Sequence, residues 1–396
     1  MPKENDEPGI KKSVYQISET DLKDHSSFCR KTFLKQASLF VTAGIMAPAC
    51  FRSKVSGQPG ERLDRENLLI YRDEYGTIKP VQTVDEWQYR RQEIMNGMQE
   101  VMGSLPEAEP HLPLDLQIHW EVEERSYQVR FITYVADAGD RVPAFLLIPN
   151  DVLISETPGQ AILSPLGTGQ SRATFSEENL ENEIFVLWND HRDWPRELVE
   201  LGYIVLIPAY PHLGEYRPDL QSLGYQSGTM KAIWNNIRGL DLLDQLPFVR
   251  SGRYGTIGHS LGGHNSIYTA VFDERLKVVV SSCGFDSYRD YMDGDISGWS
   301  QERYMPRIEE YKLDEIPFDF HEMIGALAPR VFYSNSPLFD SNFKWRSAAR
   351  IVETAMQIYE LNDVPERLMI DHPDAEHSFP DEQRQKAYRL FEQYLS

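Results

Sequence analysis

Cysteine is scarce in this chain of 396 residues: there are three, Cys29, Cys50 and Cys283. Three thiols build no disulfide framework, and no Cys/His spacing matches a zinc site. A phosphate-cradling glycine loop is also missing, so no nucleotide or nicotinamide cofactor and no metal is expected. Basic residues are outnumbered, 40 Lys and Arg against 61 Asp and Glu, for a net charge of −21. Nucleic-acid binding needs a basic stripe to neutralise phosphates, which excludes that class of partner. Long apolar runs are lacking too. The uncharged stretch 36–49 near the N-terminus is too short to span a bilayer as a helix. With 41% hydrophobic and 26% charged residues, what remains is a globular composition.

Residues 1–50 read as an export signal. Arg30-Lys31-Thr32-Phe33-Leu34-Lys35 supplies a basic patch, the uncharged stretch follows, and Ala47-Pro48-Ala49 offers a small-x-small cleavage site. The patch resembles the twin-arginine core Arg-Arg-x-Phe-Leu-Lys, with Lys31 in the second arginine position. The expected destination is therefore periplasmic or extracellular. Cys50 after Ala49 raises a lipid anchor, although Ala47 stands where such signals usually carry leucine. The alternative is an amphipathic first helix of a cytoplasmic protein. Residues 51–83 read as a linker and N-terminal extension, and 84–396 as one domain.

Within that domain, Trp87, Ile94, Met95, Met98 and Met102 recur at helical spacing over 84–102. The runs 116–122, 127–135 and 142–148 have β character, and short polar turns between them predict an antiparallel meander. From residue 160 short apolar runs alternate with helical stretches. The runs are 161–163, 204–207, 254–257, 278–280, 331–333 and 368–370; helices are expected at 196–201, 230–246 and 345–361. Alternation of this kind implies an α/β fold: a mostly parallel twisted sheet with helices on both faces. Segment 286–327 is too long for a simple connection and carries Tyr288, Tyr291, Trp299, Tyr304 and Met305. It reads as a cap over a site or as a surface excursion with its own small core.

The string Gly258-His259-Ser260-Leu261-Gly262 carries the chemistry. Gly-x-Ser-x-Gly alone arises by chance in roughly one chain in ten of this length. Here it follows a short strand, 253–257, and opens a helix over 261–272, which is the setting of a nucleophile elbow. Glycines two before and two after the serine clear space where strand and helix converge. The turn exposes the hydroxyl and leaves the first helical amides unpaired, ready to hold an oxyanion. The bland alternative is an N-cap serine between turn glycines.

A serine nucleophile needs a base, and the base an orienting acid, in the chain order Ser, Asp or Glu, His. His377 follows the strand 368–370 and precedes the last helix, so it is the expected base; His372 is the runner-up. His259 and His264 belong to the elbow and its helix and read as packing residues. Asp340, directly after the strand 331–333, is the expected acid. Asp286, after the preceding strand, competes with it. The backbone N–H of Leu261 is one expected oxyanion donor. The second should come from Ser164-Pro165-Leu166-Gly167-Thr168-Gly169; Pro165 has no N–H, which leaves Leu166. Glu215, Trp299 and Tyr304 are candidate substrate contacts from loop placement.

At these residues the chain resembles the α/β-hydrolase superfamily, and more closely the exported bacterial hydrolases grouped with dienelactone hydrolases and acetyl xylan esterases. The resemblance runs from about Glu66 to the C-terminus. It rests on Gly258 to Asn265, on Ala328-Pro329-Arg330 with Pro337 and Asp340-Ser341-Asn342-Phe343, and on Pro373-Asp374 with His377-Ser378-Phe379-Pro380. Tyr210-Pro211-His212-Leu213-Gly214-Glu215-Tyr216 is similar to that group's pocket-lining loop. Dienelactone hydrolases proper use cysteine where Ser260 stands, and relatives usually carry histidine at Ser164. The resemblance implies a serine ester hydrolase, with acylated carbohydrate as a substrate. A prolyl-type serine peptidase shares the sheet and triad, but too few residues precede the elbow for the usual propeller. A non-catalytic binding module on the same fold is the third reading.

Overall fold

The computed structural model describes residues 62–107, 112–183, 185 and 193–396. The export-signal reading of 1–50, with Cys50, lies outside the described residues. So do the oligopeptide stretches 51–61 of the expected linker.

The described chain opens with a hairpin of β1 (Ile70–Arg72) and β2 (Ile78–Pro80). Helix α1 (Val84–Met102) follows, started by a capping box in which Thr83 and Glu86 satisfy each other's backbone amides. The meander is β3 (Gln117–Glu123), β4 (Tyr127–Asp137) and β5 (Asp140–Pro149). Then come β6 (Gly159–Leu163), α2 (Thr168–Thr174), α3 (Trp194–Glu200), β7 (Ile204–Pro208) and α4 (Gly228–Gln245). The elbow joins β8 (Val249–His259) to α5 (Leu261–Phe272), and β9 (Leu276–Ser282) follows. The chain closes with α6 (Phe320–Gly325), β10 (Val331–Asn335), α7 (Trp345–Leu361), β11 (Leu368–Asp371) and α8 (Asp381–Leu395).

Among the described residues, nine strands form one sheet in the order β11-β10-β9-β8-β6-β7-β5-β4-β3. The ladders from β7 through β11 are parallel, while β3, β4, β5 and β7 pair antiparallel. Every residue of β7 and of β10 is buried, alternate positions included, so both faces of the sheet are covered. The chain leaves β6 toward β7 on one side and later leaves β8 toward β9 on the other. The carboxyl ends of β6 and β8 are thus a topological switch point, the place where open α/β sheets bind ligands. Both candidate oxyanion loops start there.

Segment 286–327 holds short 3-10 turns before α6 rather than strands. Its aromatic residues are packed inward: Tyr288, Trp299 and Met305 are buried. In the expected N-terminal extension, Leu68, Tyr71 and Val81 join the main core.

Candidate active site

Ser260 alone makes the turn between β8 and α5, with φ 54° and ψ −120°. A non-glycine residue at positive φ costs about 1–3 kcal/mol and persists only where its surroundings demand it. Here they do. A Cβ at Gly258 would collide with the backbone of Gly262, and one at Gly262 with the carbonyl of Pro165. Strand, helix and the loop after β6 therefore meet at backbone contact. Ser260 donates its N–H to the Ser282 carbonyl at 2.8 Å, and Gly263 N–H returns to the Ser260 carbonyl at 2.9 Å.

The loop after β11 brings His377 to Asp340, with Nδ1 2.9 Å from both carboxylate oxygens. The Asp340 side chain is 1% exposed and that of His377 18%. A carboxylate only accepts, so it assigns the ring proton to Nδ1 and leaves Nε2 as the basic nitrogen. Asp340 is itself held: its Oδ1 accepts from the amides of Asn342 at 2.8 Å and Phe343 at 3.2 Å. The His377 ring lies 4.6 Å from that of His259, the residue before Ser260, and 6.2 Å from Phe343. Ser260, His377 and Asp340 thus converge on one end of the sheet.

The competitors sit elsewhere. Asp286 is buried and accepts the Lys344 amide at 3.0 Å, while its Oδ1 has no partner among the described residues. Burial pushes its pKa up to about 7. His372 donates Nδ1–H to the Ser336 carbonyl at 2.8 Å and packs against Trp345.

Leu261, the residue after Ser260, begins α5, and its amide has no carbonyl one turn back to meet. Leu166 is buried in the loop packed on Gly262, and a Cβ at the adjacent Gly167 would lie 3.8 Å from the Ser260 Cβ. Ser164 is fully buried and accepts the indole N–H of Trp194 at 2.9 Å. That indole packs in turn on His259 and Phe379.

Of the three candidate substrate contacts, two join a wall. Tyr304 packs with Tyr210, Leu213, Ala232 and Leu261, and its hydroxyl is 3.2 Å from Thr168 Oγ1. Trp299 bridges Tyr304, His264 and Phe343 at ring separations of 6.4, 4.7 and 6.5 Å. His264 lies on that packing side, where burial drives its pKa down to about 3, and its Nδ1–H meets the Gly284 carbonyl. Glu215 is exposed, and its backbone amide is tied to the Phe175 carbonyl.

Asn335 was invisible to the sequence reading. Its side-chain amide donates to Ser282 Oγ at 2.8 Å and to the Ser378 carbonyl at 2.9 Å, tying the histidine loop to the strand beside the elbow. Cys283, His259 and His377 offer ligand-type atoms within 4.8 Å of one another. Each already faces a protein group: Cys283 Sγ the Ser378 carbonyl, His259 Nδ1 the Ser282 hydroxyl, and His377 Nδ1 Asp340.

Residues 190–396, just over half of the chain, match the profile of the Prolyl oligopeptidase family. A curated relative, YtaP of Bacillus subtilis (strain 168), assigned as a hydrolase, is 27% identical over 190 residues, 46% of this chain. The match spans 60% of that relative's length. Among solved structures, a glucuronoyl esterase from Solibacter usitatus superposes with a TM-score of 0.63 at 17% identity, covering 84% of this chain and 98% of that one. A Bacteroides fragilis NCTC 9343 protein assigned as an acetyl xylan esterase gives 0.54 at 16% identity, over 73% and 76%. At such identities the likeness speaks for the fold. The sheet order, the elbow and these neighbours make it the α/β-hydrolase fold.

Proposed function

Because the chain belongs to the Prolyl oligopeptidase family and is a serine hydrolase of the α/β-hydrolase fold, we propose that it hydrolyses carboxylic esters through Ser260, His377 and Asp340. The observation that carries this reading is the Asp340–His377 hydrogen bond in a loop brought beside the strained Ser260. In this scheme His377 Nε2 takes the proton as Ser260 Oγ attacks the ester carbonyl. The Leu261 and Leu166 amides hold the tetrahedral oxyanion. His377 then returns the proton to the departing alcohol, Asp340 stabilises the imidazolium, and water resolves the acyl-enzyme by the same steps.

Acylated carbohydrate is the substrate class this reading favours. The part-exposed Tyr304 ring, backed by the buried Trp299, gives an apolar surface beside Leu261 against which a sugar ring can rest, and the structural neighbours are named for esters of that kind. Peptide hydrolysis is the second reading, since the family is named for it. Against it, the described residues before the elbow supply strands β3 to β7 to the same sheet rather than a separate gating domain. Export of the chain, by the signal in residues 1–50, remains part of the proposal; among the described residues no helix is long and apolar enough to cross a membrane.

Acetate release from acetylated xylan and from an aryl acetate, for wild type beside Ser260→Ala, tests the proposal. Cleavage of both by wild type alone supports a sugar-ester hydrolase. Cleavage of the aryl ester alone keeps the chemistry and moves the search to other acyl groups. Peptide cleavage without ester cleavage overturns the reading, and failure of Ser260 to react with a fluorophosphonate leaves a binding module.

A further inference from the structure

Arg303 lies in the same loop as the aromatic wall, and the mechanism above gives it no task. Its guanidinium carbon stands 5.0 Å from the centre of the Tyr304 ring. Tyr304 packs on Leu261 and reaches Thr168, beside Gly167, so the positive charge is one ring away from the candidate oxyanion donors. Its Nε is buried without a partner, and no acceptor among the described residues meets its other guanidinium nitrogens.

The backbone beneath this side chain is fixed at three successive residues. The carbonyls of Glu302, Arg303 and Tyr304 accept from Gly228 N–H at 2.9 Å, Tyr210 O–H at 2.8 Å and Thr229 N–H at 3.2 Å. A Cβ at Gly228 would strike the Arg303 carbonyl, so the start of α4 is pressed against the loop. Other buried or part-buried arginines are met by carboxylates, as Arg275 by Asp241, Asp244 and Asp273 or Arg384 by Glu197, or by backbone carbonyls, as Arg65 by Ile316 and Arg330 by Leu327, Asp273 and Leu276. Arg303 is met by neither kind of partner among the described residues, which leaves its guanidinium able to receive an anion. A planar guanidinium suits a carboxylate in particular, because its parallel N–H groups match two oxygens.

We propose that Arg303 recognises an anionic group on the substrate, so that the chain prefers esters carrying a carboxylate near the scissile bond. The inference rests on the ester-hydrolase reading and names its substrate class. It also accounts for how an acidic protein, whose overall field repels anions, would accept one at its site.

Two matched pairs of esters test it, one for each side of the scissile bond. The first is 4-acetoxybenzoate and its methyl ester; the second is mono-4-nitrophenyl succinate and its methyl ester. Wild type should favour the anionic member of one pair, and Arg303→Gln should lower that anionic-to-neutral ratio of kcat/KM by about tenfold or more. Arg303→Lys should restore part of the ratio, and added salt should shrink it in wild type. A ratio unchanged by Arg303→Gln in both pairs overturns the proposal while leaving the esterase reading intact. If wild type cleaves none of the four, the esterase reading fails, and binding decides about Arg303. Calorimetric titration of 4-acetoxybenzoate into Ser260→Ala and into Ser260→Ala/Arg303→Gln should then show weaker binding to the double variant; equal affinity sinks the proposal.

Discussion

Asp340 and Asp286 are two carboxylates after neighbouring strands, and their surroundings set them to different ends. Asp340 meets His377 and two backbone amides; Asp286 meets one amide and apolar packing. Asp340→Asn should therefore leave the base in the wrong tautomer and lower kcat by about 10⁴-fold, while Asp286→Asn should leave kcat near the wild-type value. Steady-state kinetics on an aryl acetate decides, and the reverse pattern would move the acid to Asp286. Asp286 should instead be read in stability. Its folded pKa is raised to about 7, while an unfolded aspartate titrates near 3.9. Between those values the unfolded chain has released the proton and the folded one keeps it. Stability should fall by up to ~1.4 kcal/mol per pH unit as pH rises across that window, and level off above it. Urea midpoints for wild type and Asp286→Asn at several pH values between 4 and 8 check this; parallel curves would refute it. The turn at Ser260 and the meeting of Asp340 with His377 are legible in the sequence because chain order and strand ends confine each residue to a short loop. The placements of Asn335 and Arg303 are not, because they arise from contacts with Ser282 and Tyr210, far away in sequence.

At the scale of elements, the strand–turn–helix unit is where sequence and structure agree most closely. Small residues at 258, 262 and 263 announce close backbone approach, and the structure shows what each approaches. Gly262→Ala should force α5 away from the loop after β6, displacing the Leu261 and Leu166 amides relative to each other. A drop in kcat larger than the change in KM, with a lower melting temperature, is expected. Unaltered kcat would mean that the second oxyanion donor lies elsewhere. Element ends were read less well than element types. The strand expected at 254–257 runs as β8 from Val249 to His259, because Val249 already pairs with Gly159 and the exposed polar stretch 250–253 is carried as an irregularity between that pair and the ladder that starts at Tyr254. The hairpin β1–β2 escaped notice because each strand has three residues and little alternation to read. Segment 286–327 was recognised as more than a connection, but its inward packing around Trp299 depends on partners such as His264 and Phe343.

Across the whole molecule, the helix before the sheet is bound to the segment between β9 and β10 by buried polar contacts. Arg90 on α1 pairs with Glu322 on α6 at 2.9 Å, each side chain 3% exposed. Arg90 also donates to the Asp64 carbonyl, Arg65 to the Ile316 carbonyl, and His321 contacts the Arg65 carbonyl. Glu322 has a further duty, capping α6 by accepting the Asp319 amide. Burial raises the pKa of Glu322 and Arg90 opposes that rise, so the arginine is what keeps a buried carboxylate tolerable. Removing it alone, as Arg90→Ala, should cost about 3–5 kcal/mol, because the partner is left uncompensated. Replacing both partners by apolar residues, as Arg90→Met with Glu322→Leu, should recover much of the loss. The manner of melting is as informative as its size. If the segment before the sheet and the catalytic body form one cooperative unit, calorimetry of Arg90→Ala will show a single transition moved down as a whole. A second, early transition with the main one unmoved would show that α1 and its preceding chain are a separately melting extension, and that residues 84–396 do not fold as the single domain proposed from the sequence.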